Sequence, residues 1–252
     1  MLYLCIPARN EEATIGPLLW KIRKVMADFG RDYHVLVLDD GSSDATGETL
    51  DRYRRVIPLT VLREETPVGY GRALERLLKT AVEQSRYPKR DAVVTLQADF
   101  SESPELLIPL VKTLEGGADI VVGRQEENSV DPTPRPRVWA RRGARFLMGR
   151  SLRGAPVSDP FCGLRAYRIV SLRKALREWG DRPLTTGGGW AANLEILSVV
   201  APFARRIEET PVQLRYKDLP RESRFRGWDA FRTLMALRGR VQWPAVEQEP
   251  AA

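Results

Sequence analysis

Hydrophobic and polar positions alternate between two periods through the first half of the chain. Leu2–Ile6 is a short apolar run ended by Pro7. From Glu11 to Phe29 the apolar residues Ile15, Leu18, Leu19, Ile22, Met26 and Phe29 recur at helical spacing, which predicts a helix. His34–Leu38 is a second apolar run, stopped by Asp39-Asp40-Gly41-Ser42-Ser43-Asp44, and a polar helix follows to Arg55. Leu59–Leu62 reads as a third strand. Gly69–Ser85 reads as a helix with Ala73, Leu77, Leu78 and Ala81 on one face, and Ala92–Leu96 as a fourth strand. Ser103 as cap and Pro104 in the first turn open another helix, and Ile120–Val122 is a fifth strand. Strands alternating with helices predict an α/β fold, a mostly parallel central sheet with helices on both faces. Ligands on such sheets bind at the carboxyl ends of the strands.

The pattern breaks in the second half. Gln125–Pro136 is polar with three prolines and reads as a mobile loop, and Val138–Leu152 as an arginine-rich helix. Asp159–Arg168 reads as a loop containing a glycine. Gly187-Gly188-Gly189 precedes a helix over Trp190–Val200, and Glu208–Tyr216 is a late strand. Leu219–Arg226 is a basic loop and Gly227–Arg240 a further helix. The tail from Pro244 has no core-forming pattern and is expected to be disordered. The expected organisation is one domain over residues 1–243, with basic elements at 125–153 and 219–240, and a tail at 244–252.

Composition narrows the chemistry. A chain of 252 residues that is 43% hydrophobic can build its core without staples. Two cysteines, Cys5 and Cys162, make neither a disulfide scaffold nor a four-ligand zinc site. The single histidine, His34, lies in a strand-like run, which excludes a histidine-rich metal site and argues against a Ser-His-Asp triad. No run reaches the roughly 18–20 apolar residues needed to span a bilayer. Met1–Pro7 lacks the basic region of a signal peptide. The expectation is a cytoplasmic protein, at most peripheral on the cytoplasmic membrane face.

The net charge of +7 is unevenly spread. Residues 1–130 carry 17 Lys/Arg against 21 Asp/Glu, and residues 131–252 carry 23 against 12. An acidic first half followed by an arginine-rich second half points to an anionic partner for the latter. A solvated basic surface is the plainer alternative. No nucleic-acid-binding motif accompanies the charge, so no nucleic acid is expected as partner.

Two strand ends carry candidate chemistry. Asp39-Asp40-Gly41-Ser42 places two carboxylates ahead of a glycine turn. They could accept hydrogen bonds from a base or ribose, or form an Asx turn and helix cap. Gln97-Ala98-Asp99-Phe100-Ser101 closes the fourth strand. Residues 97 and 99 are two apart and so share a side of a strand. Asp99 can hold a hard divalent cation whose remaining positions are filled by phosphate oxygens. Gln97 is a neutral and weaker ligand.

Read in order, Pro7-Ala8-Arg9-Asn10-Glu11-Glu12, Asp39-Asp40-Gly41-Ser42-Ser43-Asp44, Gly69-Tyr70-Gly71, Gln97-Ala98-Asp99-Phe100-Ser101-Glu102-Ser103-Pro104-Glu105, Val122-Gly123-Arg124 and Asp159-Pro160-Phe161-Cys162-Gly163-Leu164-Arg165 resemble the family 2 glycosyltransferases of the GT-A nucleotide-sugar-binding fold. The likeness is strongest to the dolichol- and polyprenol-phosphate mannosyl- and glucosyltransferases, over residues 2–240. The resemblance implies inverting, metal-dependent transfer of a hexose from a nucleoside diphosphate sugar to a polyprenyl or dolichyl phosphate. GDP-mannose is the first expectation for the donor and UDP-glucose the second.

The resemblance also assigns residues. Pro7, Arg9 and Glu11 line the nucleotide pocket, the second aspartate of the Asp-Asp-Gly-Ser motif, Asp40, contacts the base, and Asp39 belongs to the same nucleotide-sugar-binding set. Gln97, Ala98 and Asp99 correspond to the Asp-x-Asp motif that holds Mg2+ or Mn2+ on the diphosphate, with Ser101 a nearby contact. Here the chain departs from the family, because Gln97 stands in place of the first aspartate. Arg124 corresponds to an arginine that ends the fifth strand and faces the acceptor phosphate. Arg137 and Arg141, four residues apart on one helical face, correspond to a membrane-facing helix that contacts the lipid phosphate, though the family often has serine at position 141. Arg221, Ser223 and Arg224 correspond to a late loop that closes on the phosphates, a task suited to the planar guanidinium fork. Asp99, Arg124 and Arg221 are the implied catalytic set.

A phosphate acceptor is already ionised at neutral pH and needs no general base. A hydroxyl acceptor would need a carboxylate, for which Asp159 is the leading candidate, with Glu195 placed on a helix behind the site. Residues 137–152 and 227–240 mix arginines with bulky apolar residues, which suits an anionic membrane surface or packing against the sheet. Two alternatives remain. One is a family 2 glycosyltransferase with a soluble sugar or phosphorylated metabolite as acceptor. The other, motivated by Gln97, is a non-catalytic nucleotide-sugar-binding protein.

Overall fold

The computed structural model describes residues 1–126, 154–186 and 191–213, together with residues 143, 148, 149, 152, 189, 235, 237, 241 and 243. A seven-stranded sheet organises these residues, in the order β3-β2-β1-β4-β6-β5-β7. Its strands are β1 (Leu2–Ala8), β2 (Tyr33–Asp40), β3 (Leu59–Glu64), β4 (Ala92–Thr95), β5 (Ile120–Gln125), β6 (Arg165–Arg168) and β7 (Ile207–Val212). The helices are α1 (Glu12–Phe29), α2 (Thr46–Tyr53), α3 (Tyr70–Gln84), α4 (Leu107–Glu115), α5 (Ile169–Trp179) and α6 (Ala191–Val200).

All of β4 and six of the seven residues of β1 are buried, regardless of alternation. A strand buried on both sides needs cover on both faces of the sheet. Two groups of helices supply it. α1 packs on α2 and on the 3-10 turn Pro104–Leu106 that leads into α4, whereas α3 packs on β1, β2, α5 and α6. The apolar stripe read from the sequence is the buried face of α1, where Ile15, Leu18, Leu19, Ile22 and Met26 are all enclosed.

Three expectations change. Pro7 does not end β1, which runs to Ala8 and pairs in parallel with β2 up to Asp39. Ser103 precedes the helical turn, but its hydroxyl bonds the Glu105 carboxylate and makes no capping bond to the backbone. The segment expected to be a loop over Asp159–Arg168 ends in β6, a strand antiparallel to both β4 and β5. With four residues and the buried arginine Arg165 at its head, it carries little apolar signal. α5 directly follows it.

The reversed strand matters for the site. Thr95 at the end of β4 pairs with Arg165 at the start of β6. The chain entering β6 therefore arrives at the same rim where β1, β2 and β4 end.

Of the two arginine-rich segments, Met148 and Leu237 are buried in a second apolar cluster with Phe161, Ala191, Leu194 and Val241, whereas Met235 is exposed. Among the described residues, no helix is long and apolar enough to cross a membrane. The tail expected at 244–252 lies outside the described residues.

Candidate nucleotide-sugar site

A cleft of about 290 Å³ opens at this rim, lined by Pro7, Ala8, Arg9, Glu11, Asp40, Gly69, Tyr70, Ala73, Gln97, Ala98 and Asp99. Three sequence segments meet in it: the exit of β1, the exit of β2 with the start of α3, and the exit of β4. Seven of the expected residues, Pro7, Arg9, Glu11, Asp40, Gln97, Ala98 and Asp99, come together here.

The β1 exit is held by its neighbour. Asn10 adopts a positive φ of 49°, its backbone N–H donates to Ser42 Oγ at 2.9 Å, and its Oδ1 accepts from Ser43 N at 2.8 Å. Glu11 N donates to Thr46 Oγ1 at 2.7 Å, and Thr14 Oγ1 donates to the buried Glu11 carboxylate at 2.9 Å. These bonds fix Arg9 and Glu11 at the mouth of the cleft.

The two aspartates of β2 separate. Asp39 forms the Asx turn, accepting Ser42 N at 3.2 Å, and lies against Gly47 of α2. It does not line the cleft. Adjacent strand residues face opposite sides of a sheet. Asp40 does line the cleft, and its two oxygens accept Val68 N at 2.6 Å and Gly69 N at 3.0 Å. Each carboxylate oxygen has a second lone pair for a ligand donor.

Gln97 and Asp99 share the cleft for a different reason from strand alternation, because β4 ends at Thr95. The chain turns through Phe100, whose φ is 65°. Ser101 N and Ser101 Oγ both donate to Asp99 Oδ1, at 3.0 and 2.6 Å. Ser101 is 1% exposed and holds Asp99 in place through these two bonds. Glu102, also 1% exposed, accepts Gln97 N at 2.8 Å and Gln97 Nε2 at 3.4 Å. Burial pushes the Glu102 carboxyl up to about 8. Hydrogen bonds from Gln97 and the charge of Arg165 oppose the shift, and the charge of Asp99 adds to it. Sequence reading gave Glu102 no role.

The segment before β6 closes the floor. A Cβ on Gly163 would stand 3.3 Å from Gln97 Nε2, 3.3 Å from Glu102 Oε1 and 3.4 Å from Tyr70 Oη, so only a glycine sits here undisturbed. Arg165 holds that segment. Its guanidinium donates to the carbonyls of Cys162 at 2.7 Å, Pro160 at 2.5 Å and Asn193 at 2.5 Å, and to Tyr167 Oη at 3.2 Å. Tyr70 Oη donates to Asn193 Oδ1 at 3.1 Å, and burial raises its phenol far above the usual range. In the sequence, Arg165 closes the Asp159–Arg165 motif and carries no assigned role. Its signal was an arginine opening a segment that had to be buried.

Other expected residues do not reach this cleft. Arg124 is exposed near the end of β5, outside the lining. Asp159 is buried, with its amide on Glu209 Oε1 at 3.3 Å, and does not line the cleft either. Glu195 lies on α6 and accepts Thr186 N and Oγ1, behind the site as expected. Arg137, Arg141, Arg221, Ser223 and Arg224 lie outside the described residues.

The donor set fits a hard divalent cation shared with a substrate. Among the described residues, no cluster of three His, Cys, Asp or Glu could hold a metal unaided. Asp99 accepts both serine bonds on Oδ1, which leaves Oδ2 for a ligand, and Gln97 adds a neutral oxygen. Magnesium characteristically takes one or two carboxylates and completes its shell with phosphates and water.

Residues 3–176 match the family described as glycosyl transferase family 2. The chain belongs to that family. Undecaprenyl-phosphate 4-deoxy-4-formamido-L-arabinose transferase of Pseudomonas paraeruginosa is 33% identical over 180 residues, 71% of this chain and 50% of the relative. The protein of the same name from Edwardsiella ictaluri is 31% identical over 217 residues, 82% of this chain and 58% of the relative. This family 2 chain thus spans about half the length of the curated relatives it matches. Among solved structures, glucosyl-3-phosphoglycerate synthase from Mycobacterium tuberculosis superposes with a TM-score of 0.64 at 21% identity, covering 98% of this chain and 81% of that one. TarS from S. aureus superposes with a TM-score of 0.57 at 16% identity, covering 84% and 59%. These neighbours bear out the GT-A fold.

Proposed function

We propose that the chain is an inverting glycosyltransferase that moves a hexose from a nucleoside diphosphate sugar onto a polyprenyl phosphate. The observation that carries this reading is the convergence of Arg9, Glu11, Asp40, Gln97 and Asp99 on one cleft at the carboxyl ends of β1, β2 and β4. The names of the relatives, undecaprenyl-phosphate sugar transferases, support the acceptor class.

Asp40 and Glu11 offer carboxylates to the N–H groups of a base, and Arg9 offers charge to the phosphates. Both uracil and guanine present such N–H donors, so GDP-mannose and UDP-glucose remain the two donors to compare. UDP-glucose in a solved neighbour favours the uridine nucleotide. Asp99 and Gln97 would hold Mg2+ or Mn2+, which when bound screens the charge developing on the departing diphosphate.

The acceptor phosphate oxygen attacks the anomeric carbon from the face opposite the diphosphate. The new C–O bond forms as the old one breaks, and the diphosphate leaves with its electron pair. The attacking oxygen is ionised at neutral pH, so no general base is required. The protein aligns two anions, a positioning effect that can itself supply several kcal/mol, roughly 7–11 at the limit. In this reading Arg124, Arg137, Arg141, Arg221, Ser223 and Arg224 serve the acceptor phosphate, with the basic segments against an anionic membrane surface.

The test is transfer from radiolabelled UDP-glucose and GDP-mannose to undecaprenyl phosphate in detergent, with Mg2+ or Mn2+. Asp99→Ala is expected to lower the rate by roughly 10²-fold or more, and chelation by EDTA to suppress it. Full activity of the unmodified protein in EDTA rejects the metal assignment.

A second reading keeps the donor site and changes the acceptor to a soluble phosphorylated metabolite. It is favoured by glucosyl-3-phosphoglycerate synthase, which covers nearly the whole chain. Co-sedimentation with anionic vesicles at physiological salt separates the two, since binding supports the lipid acceptor and its absence the soluble one.

A further inference from the structure

Tyr70 is the one aromatic among the described residues that line the cleft, and it is anchored at both ends. It opens α3 behind Gly69, whose N–H donates to Asp40 Oδ2 at 3.0 Å. Its hydroxyl donates to Asn193 Oδ1 at 3.1 Å, across 123 residues of chain. The Asn193 amide is fixed in that sense, because its Nδ2 donates to the Phe161 carbonyl at 3.2 Å. The Asn193 carbonyl in turn accepts from Arg165. Nine of the ten residues of α6 are buried, and Asn193, 3% exposed, is the one amide among them. A buried amide costs stability unless its polar atoms are met. Here the two side-chain partners come from the first turn of α3 and from the segment before β6.

The ring spans the cleft between two polar ends. At its backbone end stands Asp40, the carboxylate proposed for the base. At its hydroxyl end, Gln97 Nε2 and Tyr70 Oη lie 3.3 and 3.4 Å from the point where a Cβ on Gly163 would stand. That puts the hydroxyl beside Gln97, proposed with Asp99 for cation and diphosphate. Tyr70 and Ala73, three apart on one face of α3, line the cleft between these ends. Between the base and the phosphates of a nucleotide lies the ribose, which presents apolar C–H groups. We propose that the Tyr70 ring is the surface against which the donor ribose packs, and that Asn193 is a positioning residue that holds the ring there. The ligand named rests on the function proposed above. The pairing of Tyr70 with Asn193 does not.

Titration calorimetry with Mn2+ tests both parts, using UDP and UDP-glucose and, separately, GDP and GDP-mannose. Y70F keeps the ring and frees its outer end, and N193L removes the acceptor. Each is expected to weaken binding of the diphosphate and of its sugar by the same factor, roughly fivefold, the loss that one hydrogen bond accounts for. The double variant Y70F/N193L is expected to bind no more weakly than N193L alone, because both changes cut a single tie. Y70A removes the surface itself and is expected to lose roughly tenfold or more. In turnover with undecaprenyl phosphate, Y70F should raise the KM for the donor by the factor seen in binding and leave kcat within about twofold, since a ribose contact is made equally before and at the transition state.

Asn193→Asp separates positioning from support, because it keeps an oxygen for the Tyr70 hydroxyl and gives up the amide bond to Phe161. It is expected to lower the Tm and yet bind nucleotide within about twofold of the unmodified protein. If N193L does not fold, the contrast of Y70F with N193D decides. Y70F binding as tightly as the unmodified protein overturns the pairing, as do losses that multiply in the double variant. A loss confined to the nucleotide sugar, with the diphosphate unaffected, overturns the ribose assignment and places the ring at the hexose. Failure of the unmodified protein to bind any of these nucleotides rejects the donor site proposed above and the ribose with it. A thermal-unfolding cycle of Y70F and N193L then decides the pairing, and Tm shifts that simply add overturn it.

Discussion

Arg165 is the residue whose replacement has the most calculable effect. It is 1% exposed and donates to three backbone carbonyls and one phenol oxygen. Arg165→Met keeps much of the aliphatic length and removes every donor. Three carbonyls then lose a charged partner, and each buried unpaired group costs about 1–3 kcal/mol. Relaxation and entry of water reduce the sum to about 3–5 kcal/mol, the range for removing one partner of a buried charged contact. That is a large share of the roughly 5–15 kcal/mol that holds a typical domain together. At about 2–4 °C per kcal/mol for a chain of this size, the Tm should fall by roughly 6–20 °C. Urea unfolding followed by tryptophan fluorescence measures it, with the slope unchanged if the denatured state is unaffected. Arg165→Lys should recover only part of the loss, because one ammonium cannot span Pro160, Cys162 and Asn193. A Met variant within about 0.5 kcal/mol of the unmodified protein refutes the reasoning, since only a site without strong contacts tolerates such a change.

Three further outcomes are expected. Asp40→Asn turns an amide N–H2 toward one of the two backbone donors of Val68 and Gly69, and should cost about 1–3 kcal/mol in thermal unfolding and weaken nucleotide binding measured by calorimetry. Gly71→Ala places a Cβ 2.7 Å from Thr185 Oγ1 and 2.9 Å from the Ala192 Cβ, so it must part α3 from α6. Denaturant unfolding should show a loss of about 1–3 kcal/mol. Burial opposes ionisation of Glu105, but the Lys21 ammonium at 2.5 Å and the Ser103 hydroxyl overcome it and hold the carboxyl at about 2. A depressed carboxylate contributes stability above its unfolded pKa of about 4.3, and that contribution is lost as the pH falls from there toward 2. Because the pair is half exposed, the effect is at most about 1 kcal/mol. Glu105→Gln should flatten the acid limb of a pH series of Tm values by that amount.

The first five strands and the helices between them were legible because each obeys one simple rule. Buried parallel strands are unbroken apolar runs, and α1 and α3 carry apolar stripes at helical spacing. β6 was hidden because a four-residue strand opened by a buried arginine has the composition of a loop. Its partner β4 shows the related limit at the site. Sequence spacing put Gln97 and Asp99 on one side of a strand, and they do share the cleft, but a turn built by Ser101 and Glu102 brings them there. Seven lining residues were visible from ordered motifs. Glu102, Gly163 and Arg165 stand in the same ordered motifs, but their part as supports was not legible, because it depends on the turn after β4 and on how the segment before β6 packs beneath it. The resemblance singled out Asp40 of the two aspartates, and their opposite facing on β2 gives the physical reason: Asp39 forms the turn and Asp40 lines the cleft.

The reversal of β6 has an architectural consequence. β5 leaves the sheet at Gln125, and β6 re-enters it at Arg165, which pairs with Val122 of β5. The two anchor points of residues 126–164 are therefore separated by one strand spacing across the sheet and a short rise along β5, roughly 11 Å in all. The downstream part of that stretch is a fixed piece of the rim, because Val157, Phe161, Cys162 and Leu164 are buried and Arg165 holds the carbonyls of Pro160 and Cys162, so a change of length there would shift the floor of the nucleotide half of the cleft.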